Sequence, residues 1–209
     1  MPDEPAGRLT SRPTGAVIAP RTEAEVADAV RQAHDDASPL RIAGRGTWLD
    51  AGQAVRAGAR LDLAAVAGIV AYVPGDLTLT ARAGTTLAEI DEATAAQGQW
   101  LPLDPFGQAA STLGATLATA SAGPLGGHLG LPRDVTLGVS FVTGDGQVVR
   151  GGGRVVKNVA GFDLVRLTIG AWGTLGVIVE ATVRLRARPG ADETLALELP
   201  EGGRALDDF

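Results

Sequence analysis

Short hydrophobic runs and one helical repeat dominate the first third of the chain. Residues 21–36 (RTEAEVADAVRQAHDD) repeat apolar side chains on one face of a helix, and Thr22 with Glu25 predicts a capping box at its start. Short strands are predicted at 39–44, 59–66 and 68–73. This order of elements predicts a small α/β lobe at about residues 14–73.

The pattern changes after this point, and strands become more frequent. Residues 77–84 alternate like a half-exposed strand, and Thr86 with Glu89 begins a second capped helix. The further predicted elements are a strand at 100–105, a small-residue helix at 111–123, a hairpin at 135–152 and a long strand at 173–189. The predicted fold class is therefore α+β, with a larger lobe at 74–190 whose sheet is mainly antiparallel.

The composition excludes several classes of protein. The 209 residues carry 18 Lys and Arg against 24 Asp and Glu, and this net charge of -6 argues against a nucleic-acid-binding protein. No cysteine and two histidines are present, which excludes disulfides, iron–sulfur ligation, thiolate zinc and a multi-histidine metal site. The predicted arm at 1–13 lacks the apolar core of a signal peptide, and no stretch has the roughly 18 apolar residues of a membrane helix. We therefore expect a cytoplasmic protein, with 191–209 as a polar tail.

Two segments rich in small residues are candidates for a binding site. Residues 41–52 (RIAGRGTWLDAG) follow a strand, and such a glycine turn either directs its amides at an anion or forms a plain surface turn. Residues 111–123 (STLGATLATASAG) begin a helix without bulky side chains, which suits either a diphosphate at its start or close helix packing. Together they suggest an elongated ligand with a charged middle, held between the lobes.

Three motifs in order resemble the FAD-binding domain of the vanillyl-alcohol-oxidase and p-cresol-methylhydroxylase (PCMH) type. They are AGRGTWLDAG at 43–52, the stretch from 101 to 149 that contains STLGATLATASAG, and VKNVAGFDLVRLTIGAWGTLGVIVEATVRL at 156–185. Within this family the chain is most similar to the FAD-binding subunits of bacterial glycolate oxidases, in the group that oxidises D-2-hydroxy acids. The resemblance covers about residues 14–189 and implies a two-lobed domain with FAD between the lobes.

The resemblance also implies which residues bind FAD. The first loop would form the turn around the diphosphate, and the other two segments would face the flavin or meet it with main chain. The implied cofactor-binding residues are Gly44, Arg45, Gly46, Thr47, Trp48, Ser111, Thr112, Gly114, Thr116, Ser121, Gly123, Gly173, Gly176, Val177 and Ile178. Catalytic residues stay unassigned, and no metal is expected.

The implied function is an FAD-binding subunit of a glycolate or D-lactate dehydrogenase, whose flavin accepts a hydride equivalent and passes electrons on. The implied partners are other subunits of a glycolate-oxidase-like complex, namely a second flavoprotein subunit and an iron–sulfur subunit, through which membrane association could arise. The alternative is a non-catalytic subunit that keeps the fold mainly to hold such a complex together.

Four departures from the family pattern bear on function. Arg45 replaces the middle glycine of the first loop, and its side chain either points outward or adds a charge beside the diphosphate. Thr47 stands where covalently flavinylated members carry histidine, which, with the absence of cysteine, predicts non-covalent FAD. Trp172 stands where hydroxy-acid dehydrogenases often carry glutamate. No cap domain is expected after the FAD-binding domain, so either the chain is a truncated or minimal form or another chain recognises the substrate.

Other conspicuous residues have a structural interpretation beside a functional one. His128 is the one histidine expected near a site, although a loop histidine without a chemical role is the commoner case, and His34 is expected at the surface. The adjacent residues Arg133 and Asp134 predict either a local ion pair or a contact with the flavin side. Lys157 and Asn158 predict either a structural turn or a position near the flavin. The tryptophans at 48, 100 and 172 are more typical of a core or interface than of stacking platforms.

Overall fold

A computed structural model describes residues 15–51, 56–106, 109–153 and 162–193. The predicted arm at 1–13, most of the predicted tail, Lys157 and Asn158 lie outside the described residues. The described elements are β1 (Ala16–Ile18), α1 (Glu23–Asp35), β2 (Leu40–Ala43), β3 (Ala59–Asp62), β4 (Ile69–Val73), a 3₁₀ turn (Pro74–Asp76), β5 (Thr78–Arg82), α2 (Leu87–Ala95), β6 (Gln99–Trp100), α3 (Leu113–Thr119), α4 (Gly126–Leu129), α5 (Pro132–Val135), β7 (Thr136–Val142), β8 (Val148–Gly152), α6 (Leu164–Thr168), β9 (Val177–Arg184) and β10 (Arg186–Ala187).

The first lobe is a small parallel sheet with one helix. β1 and β2 flank β3 on either side, and both pairings are parallel. α1 begins after its N-cap Thr22, whose hydroxyl accepts a hydrogen bond from the amide of Glu25. The Glu25 carboxylate accepts from the amide of Arg21 at 2.7 Å, one residue before the N-cap. The predicted capping box is therefore only half formed, although the helix begins where the sequence predicts.

The larger lobe contains an antiparallel sheet in the order β4-β5-β9-β7-β8. The sequence-based prediction assigns residues 69–73 to the first lobe, but β4 pairs with β5 in the larger sheet. Only the short turn Pro74–Asp76 joins these strands, and so short a connection brings consecutive strands together as an antiparallel hairpin. The first lobe therefore ends before the predicted boundary near residue 73.

Two other strands differ from their sequence-based predictions. β5 is buried from Thr78 to Ala81, whereas its alternation predicts a half-exposed strand. β5 lies between β4 and β9, and on its polar face the Thr80 hydroxyl forms a 2.9 Å hydrogen bond with the Thr182 hydroxyl on β9, while the Thr78 hydroxyl has no described partner. The strand predicted at 100–105 shortens to β6, which pairs only with β10. Pro102 cannot donate a backbone hydrogen bond, which fits the early end of this strand.

Two hydrophobic clusters form the core, and one of them joins the lobes. The first lies within the larger lobe, between its sheet and helices α2 and α3. The second combines Val26 and Leu61 of the first lobe with Val142 and Val179 of the larger sheet, and none of these side chains is more than 1% exposed. Because each such side chain contributes roughly 1.5–3 kcal/mol on burial, this cluster holds the lobes together.

Helix α2 begins with a complete capping box. The Thr86 hydroxyl accepts from the amide of Glu89 at 3.1 Å, and the Glu89 carboxylate accepts from the amide of Thr86 at 2.7 Å. Hydrogen bonds from the hydroxyl and amide of Thr86 hold the pKa of Glu89 below its usual range, and the charge of Arg45 adds to this. A β-bridge between Thr86 and Thr112 ties the start of α2 to the start of α3.

The capping box predicts a pH-dependent stability. Glu89→Gln keeps the shape but removes the charge, so we expect it to lower the free energy of unfolding at pH 7. Because the native pKa of Glu89 is depressed below 4.5, the advantage of the wild type is present above that value and disappears as the pH falls through the native pKa. Urea unfolding between pH 7 and pH 3 measures this, with Glu92→Gln on the same helix as the control. A difference that stays constant across this pH range contradicts the assignment.

Candidate functional site

The two lobes enclose a cavity of about 450 Å³. Its described wall comes mainly from three separated stretches, within 40–51 in the first lobe and within 112–119 and 172–178 in the larger lobe. This size lies within the usual range for small-molecule sites. The predicted site residues that line the cavity are Gly44, Gly46, Thr47, Trp48, Thr112, Gly114, Gly173, Gly176, Val177 and Ile178. The fold therefore brings together the three segments that the sequence analysis selects.

The loop after β2 has the properties of an anion-binding turn. Gly46 has φ +80°, in the left-handed region, and the Leu49 amide donates to the Gly46 carbonyl at 3.2 Å. The amides of residues 44–48 themselves donate to no group in the part of the chain that the structure describes. Consecutive amides of a turn with one left-handed residue form a concave donor surface for anions. This loop therefore fits the phosphate interpretation better than that of a plain turn.

The start of α3 fits the second of the two alternatives predicted for it, close packing, and not a diphosphate site. The Leu113 amide donates to the Thr85 carbonyl and the Gly114 amide to the Ala83 carbonyl, both at 2.8 Å. The next amide, that of Ala115, donates to the Thr112 hydroxyl. Because the protein itself uses these three donors, the helix start does not present them to a diphosphate. A Cβ on Gly114 would lie 2.6 Å from the Ala83 Cβ, so the small residues here serve close packing.

Two buried hydroxyl residues lie beside the cavity without lining it. Ser111 and Thr116 are both fully buried, with their hydroxyl oxygens 3.4 Å apart. The Ser111 hydroxyl is also 3.5 Å from that of Thr47, which is exposed and does line the cavity. These side chains connect the loop of the first lobe to the start of α3.

Ser121 and Gly123 hold a neighbouring loop and do not line the cavity. The Ser121 hydroxyl accepts from the amide of Phe106 at 3.0 Å, and the Gly123 amide donates to the Asp104 carboxylate at 3.2 Å. A Cβ on Gly123 would lie 2.4 Å from the Asp104 carbonyl oxygen. Both residues therefore fix the position of the chain around residues 104–106.

Two glycines permit close approach between the lobes at the cavity. A Cβ on Gly44 would lie 2.4 Å from the Thr112 hydroxyl oxygen, and a Cβ on Gly173 would lie 2.8 Å from the Cδ1 of Ile42. Gly173 also has φ +75°, which disfavours any side chain. These glycines thus bring the walls of the cavity together, and the space that a side chain would need is already occupied by protein atoms.

The chain enters β9 through a third tight position. Gly176 has φ +150°, and a Cβ there would lie 2.6 Å from the Val142 carbonyl oxygen. Val177 and Ile178 follow as buried residues that contribute to different core clusters. This part of the cavity wall is therefore rigid and continuous with both cores.

Trp48 and Trp172 meet across the cavity from different lobes. Their rings are edge to face, with centroids 6.1 Å apart and an interplanar angle of 89°. Trp172 has φ +53°, and its amide donates to the Ala118 carbonyl at 2.8 Å. The Trp48 indole N–H is buried and has no hydrogen-bond partner among the described residues. These tryptophans therefore form an inter-lobe contact, as their expected interface role predicts, and one of them has a donor available.

Comparison with known families identifies the fold. The sequence model of a family described as FAD binding domain matches residues 14–152. The chain belongs to this family. Membership confirms the predicted family, and it identifies FAD as the cofactor of this FAD-binding domain.

Longer relatives support the same assignment. The FAD-binding domain is 42% identical over 172 residues to glycolate oxidase subunit GlcE of Escherichia coli (strain K12), covering 81% of this chain and 49% of that protein. It is 33% identical over 181 residues to glycolate oxidase subunit GlcD of Bacillus subtilis (strain 168), covering 86% and 38%. A solved alkyldihydroxyacetonephosphate synthase superposes with a TM-score of 0.70 and 25% identity, covering 84% of this chain and 32% of that one. The predicted two-lobed α+β fold is confirmed, and the chain spans about half or less of the length of these relatives.

The polar groups of the cavity fit the anionic centre of FAD. A diphosphate needs several donors, and the loop at 44–48 presents amides that no described group uses. The buried indole N–H of Trp48 and the guanidinium of Arg41 lie in the same wall. Arg41 is not among the site residues predicted from the sequence, although an arginine inside a short buried strand is a signal for a charge with a specific role.

The remaining polar candidates lie elsewhere. Arg45 is exposed and outside the cavity wall, which fits the outward alternative considered for it. His34 is exposed, as predicted, and His128 is exposed in a separate groove together with Arg184 and Arg186. The side chains of Arg133 and Asp134 approach to 3.9 Å, at the limit of a local ion pair.

The described ranges contain neither a cluster of metal-ligand side chains nor a membrane-spanning helix. No group of three or more His, Asp or Glu side chains with metal-binding geometry occurs there. None of the helices in these ranges is long and apolar enough to cross a membrane.

The close contact at Gly44 predicts a binding defect. Gly44→Ala places a Cβ against the Thr112 hydroxyl, so the loop must move away from α3 and the cavity must widen. Overpacking of this kind costs about 1–3 kcal/mol, and we expect FAD binding to weaken about tenfold or more. Titration of the FAD-free protein with FAD, followed by flavin fluorescence, measures this. Gly75→Ala is the control because a Cβ there meets no atom within 4 Å, and equal FAD affinity of the two variants contradicts the assignment.

Proposed function

We propose that the chain is the FAD-carrying part of a 2-hydroxy-acid dehydrogenase that acts on glycolate or D-lactate. The observation that carries this proposal is the cavity between the lobes, whose loop at 44–48 presents amides that donate to no described group. The names of the relatives give the substrate class, since they include glycolate oxidase subunits and a D-lactate dehydrogenase from Arabidopsis thaliana. Because the chain spans only part of each relative, the activity and substrate of the whole protein belong to the proposal.

In this proposal the residues of the chain bind and orient the cofactor. The loop amides and the Trp48 indole would hold the diphosphate, while the main chain around Gly173 and Gly176 would bound the flavin side. When bound, FAD supplies the capacity to accept a hydride equivalent from the carbon that carries the hydroxyl group. The cavity wall limits the access of water to that region, and Trp172 covers part of it.

The same wall lacks a group that could remove the substrate's hydroxyl proton. Among the described residues that line the cavity, Arg41 is the one ionisable side chain, and a guanidinium offers hydrogen-bond donors but no acceptor. A general base must lie within hydrogen-bond reach of the proton that it removes. We infer that the base and the groups that recognise the hydroxy acid come from outside this cavity wall.

Partner subunits are part of the proposal. The sequence contains no cysteine, so an iron–sulfur cluster that takes electrons from the flavin would need another subunit. We propose a second flavoprotein subunit and an iron–sulfur subunit as partners in a glycolate-oxidase-like complex. The cytoplasmic location stays a prediction, with any membrane association arising through these partners.

A non-catalytic structural subunit is the second candidate function. The absence of a base from the described cavity wall favours it, because a retained fold could hold a complex together without turnover. Absorbance of the purified protein separates the two: visible flavin bands support the FAD-carrying function, and their absence from protein refolded with excess FAD supports the structural one.

Non-covalent binding is the first prediction from the proposed function. Thr47 has a hydroxyl where a covalent link would need histidine, and the sequence offers no cysteine. Acid precipitation of FAD-loaded protein should therefore release all flavin to the supernatant, measured by absorbance of both fractions. Yellow colour that stays in the washed pellet contradicts this expectation.

Weak turnover by the chain alone is the second prediction from the proposed function. Loss of substrate positioning removes a contribution that is worth roughly 7–11 kcal/mol of barrier, so turnover should fall by several orders of magnitude. Dye reduction by FAD-loaded protein with glycolate or D-lactate, alone and with its native partners, measures this. Rapid turnover by the chain alone would mean that it contains a complete active site.

A further inference from the structure

A second groove, which we name the basic groove, lies in the larger lobe, apart from the cavity between the lobes. Its volume is about 520 Å³, and its described wall consists of residues 126–131 with Pro102, Asp134, Val135, Arg184 and Arg186. None of these residues lines the cavity between the lobes. The basic groove is therefore a separate candidate site.

Two arginines of the basic groove are exposed on the same side of the chain. Arg184 ends β9 and Arg186 begins β10, and Leu185 between them is only 1% exposed. Because successive side chains of an extended chain point to opposite sides, the burial of Leu185 directs both arginines towards solvent. Within the described ranges Arg184 has no hydrogen-bond or ion-pair partner, and Arg186 donates only to the Leu129 carbonyl oxygen, at 3.2 Å.

Among the described residues of the basic groove, Asp134 is the one carboxylate, and it is already engaged. Its Oδ2 accepts from the Leu131 amide at 2.9 Å, and its Oδ1 lies 3.9 Å from Nε of Arg133, which is outside the groove wall. The groove is therefore locally basic, in a chain whose net charge is -6. A positive face on an acidic protein attracts acidic groups of a partner and repels basic ones.

The wall of the basic groove is held in place by hydrogen bonds. Arg186 links β10 to α4 through the Leu129 carbonyl, and Gly130 ends α4 with φ +100°. The Asp104 carboxylate accepts from the Leu125 amide at 2.9 Å and fixes the start of the same helix. A wall that is already ordered loses little conformational entropy when a partner binds.

Exposed apolar side chains border the same groove. Leu131 lines it and is 37% exposed, and Leu125, directly before α4, is 46% exposed. Arginines are enriched in protein interfaces, whose centres are apolar. A small-molecule site encloses most of its ligand, whereas Arg184 and Arg186 are both exposed. This composition favours a polypeptide over a free small anion.

We propose that the basic groove is a docking surface for an acidic segment of a partner protein. Arg184 and Arg186 bind carboxylates of that segment, and Leu131 contacts an apolar side chain between them. A guanidinium binds a carboxylate well because its planar fork can donate two parallel hydrogen bonds. The inference concerns a surface away from the cavity between the lobes, so it does not depend on the proposed FAD function.

The test measures binding of fluorescein-labelled peptides to the full chain by fluorescence anisotropy. The probes carry glutamates at different spacings around one leucine, and each has a counterpart with glutamine in place of glutamate. We expect at least one glutamate peptide to bind, and Arg184→Gln combined with Arg186→Gln to weaken that binding about tenfold or more. Higher salt should also weaken binding to the wild type, because the charges are exposed to solvent.

Arg21→Gln combined with Arg56→Gln is the matched control. It removes two exposed charges that lie outside the groove, so the peptide affinity should stay within about twofold of the wild type. The FAD content of both double variants should equal that of the wild type, because none of these arginines lines the cavity between the lobes.

Several results would overturn the proposal. They are no binding of any glutamate peptide, equal binding of the glutamine counterpart, and an equal loss of affinity in the two double variants. Complete displacement of the peptide by free succinate would make the groove a site for small carboxylates and would also overturn it.

A measurement on the wild-type protein covers the case in which the groove variant fails to fold. The methyl resonances of Leu131 should shift when the glutamate peptide is added and stay in place with the glutamine counterpart. Leu131 resonances that do not respond to the glutamate peptide place its binding elsewhere and contradict the inference.

Discussion

The close packing of the two lobes is the constraint on which the site depends. The shared cluster around Val26, Leu61 and Val179 fixes the first lobe against one end of the larger sheet. At the cavity the lobes meet through glycines at 44 and 173, where a side chain would collide with the opposite lobe. Because interiors pack as tightly as organic crystals, such contacts have little freedom to adjust. The cavity therefore has walls whose relative position is set by the core.

The hydrogen bonds donated by backbone amides distinguish two segments that have similar compositions. Both the loop after β2 and the start of α3 consist mainly of small residues. The amides of α3 are used by Thr85, Ala83 and Thr112, whereas those of residues 44–48 donate to no described group. Amides that no described group uses, in a turn with a left-handed residue at a cavity, suit an anionic ligand. In the proposed function the loop therefore binds the anionic part of the ligand, and the start of α3 provides the surface against which the loop packs.

This division of roles suits a domain whose cofactor carries the chemistry. The described cavity wall contains donors, one guanidinium and two tryptophans, but no side chain suited to take up a proton. Such a wall binds and orients, and it leaves substrate activation to other groups. The same fold occurs in much longer relatives, of which this chain spans about half or less. In the proposed function, groups from outside this cavity wall therefore complete the active site.

The sequence by itself determined the α+β class, the FAD family and the three segments that form the cavity. Helix starts such as Thr86 with Glu89 are local, because a capping box involves residues three positions apart. The family motifs are likewise contiguous, so the chain order alone reveals them. Composition excluded iron–sulfur and multi-histidine metal chemistry, because counting the cysteine and histidine ligands in the sequence is enough for this exclusion.

Tertiary structure decided which of these residues have the chemical roles. β4 joined the larger sheet through a pairing that the local pattern does not express, and β5 was buried between β4 and β9, where Thr80 bonds to Thr182 across a sequence separation of 102 residues. The donors at the start of α3 were used by carbonyls of another segment, while Arg41 gained its place in the cavity from the packing of β2. Hydrogen bonding and burial are properties of pairs of groups, and for pairs distant in sequence only the folded chain specifies the partner.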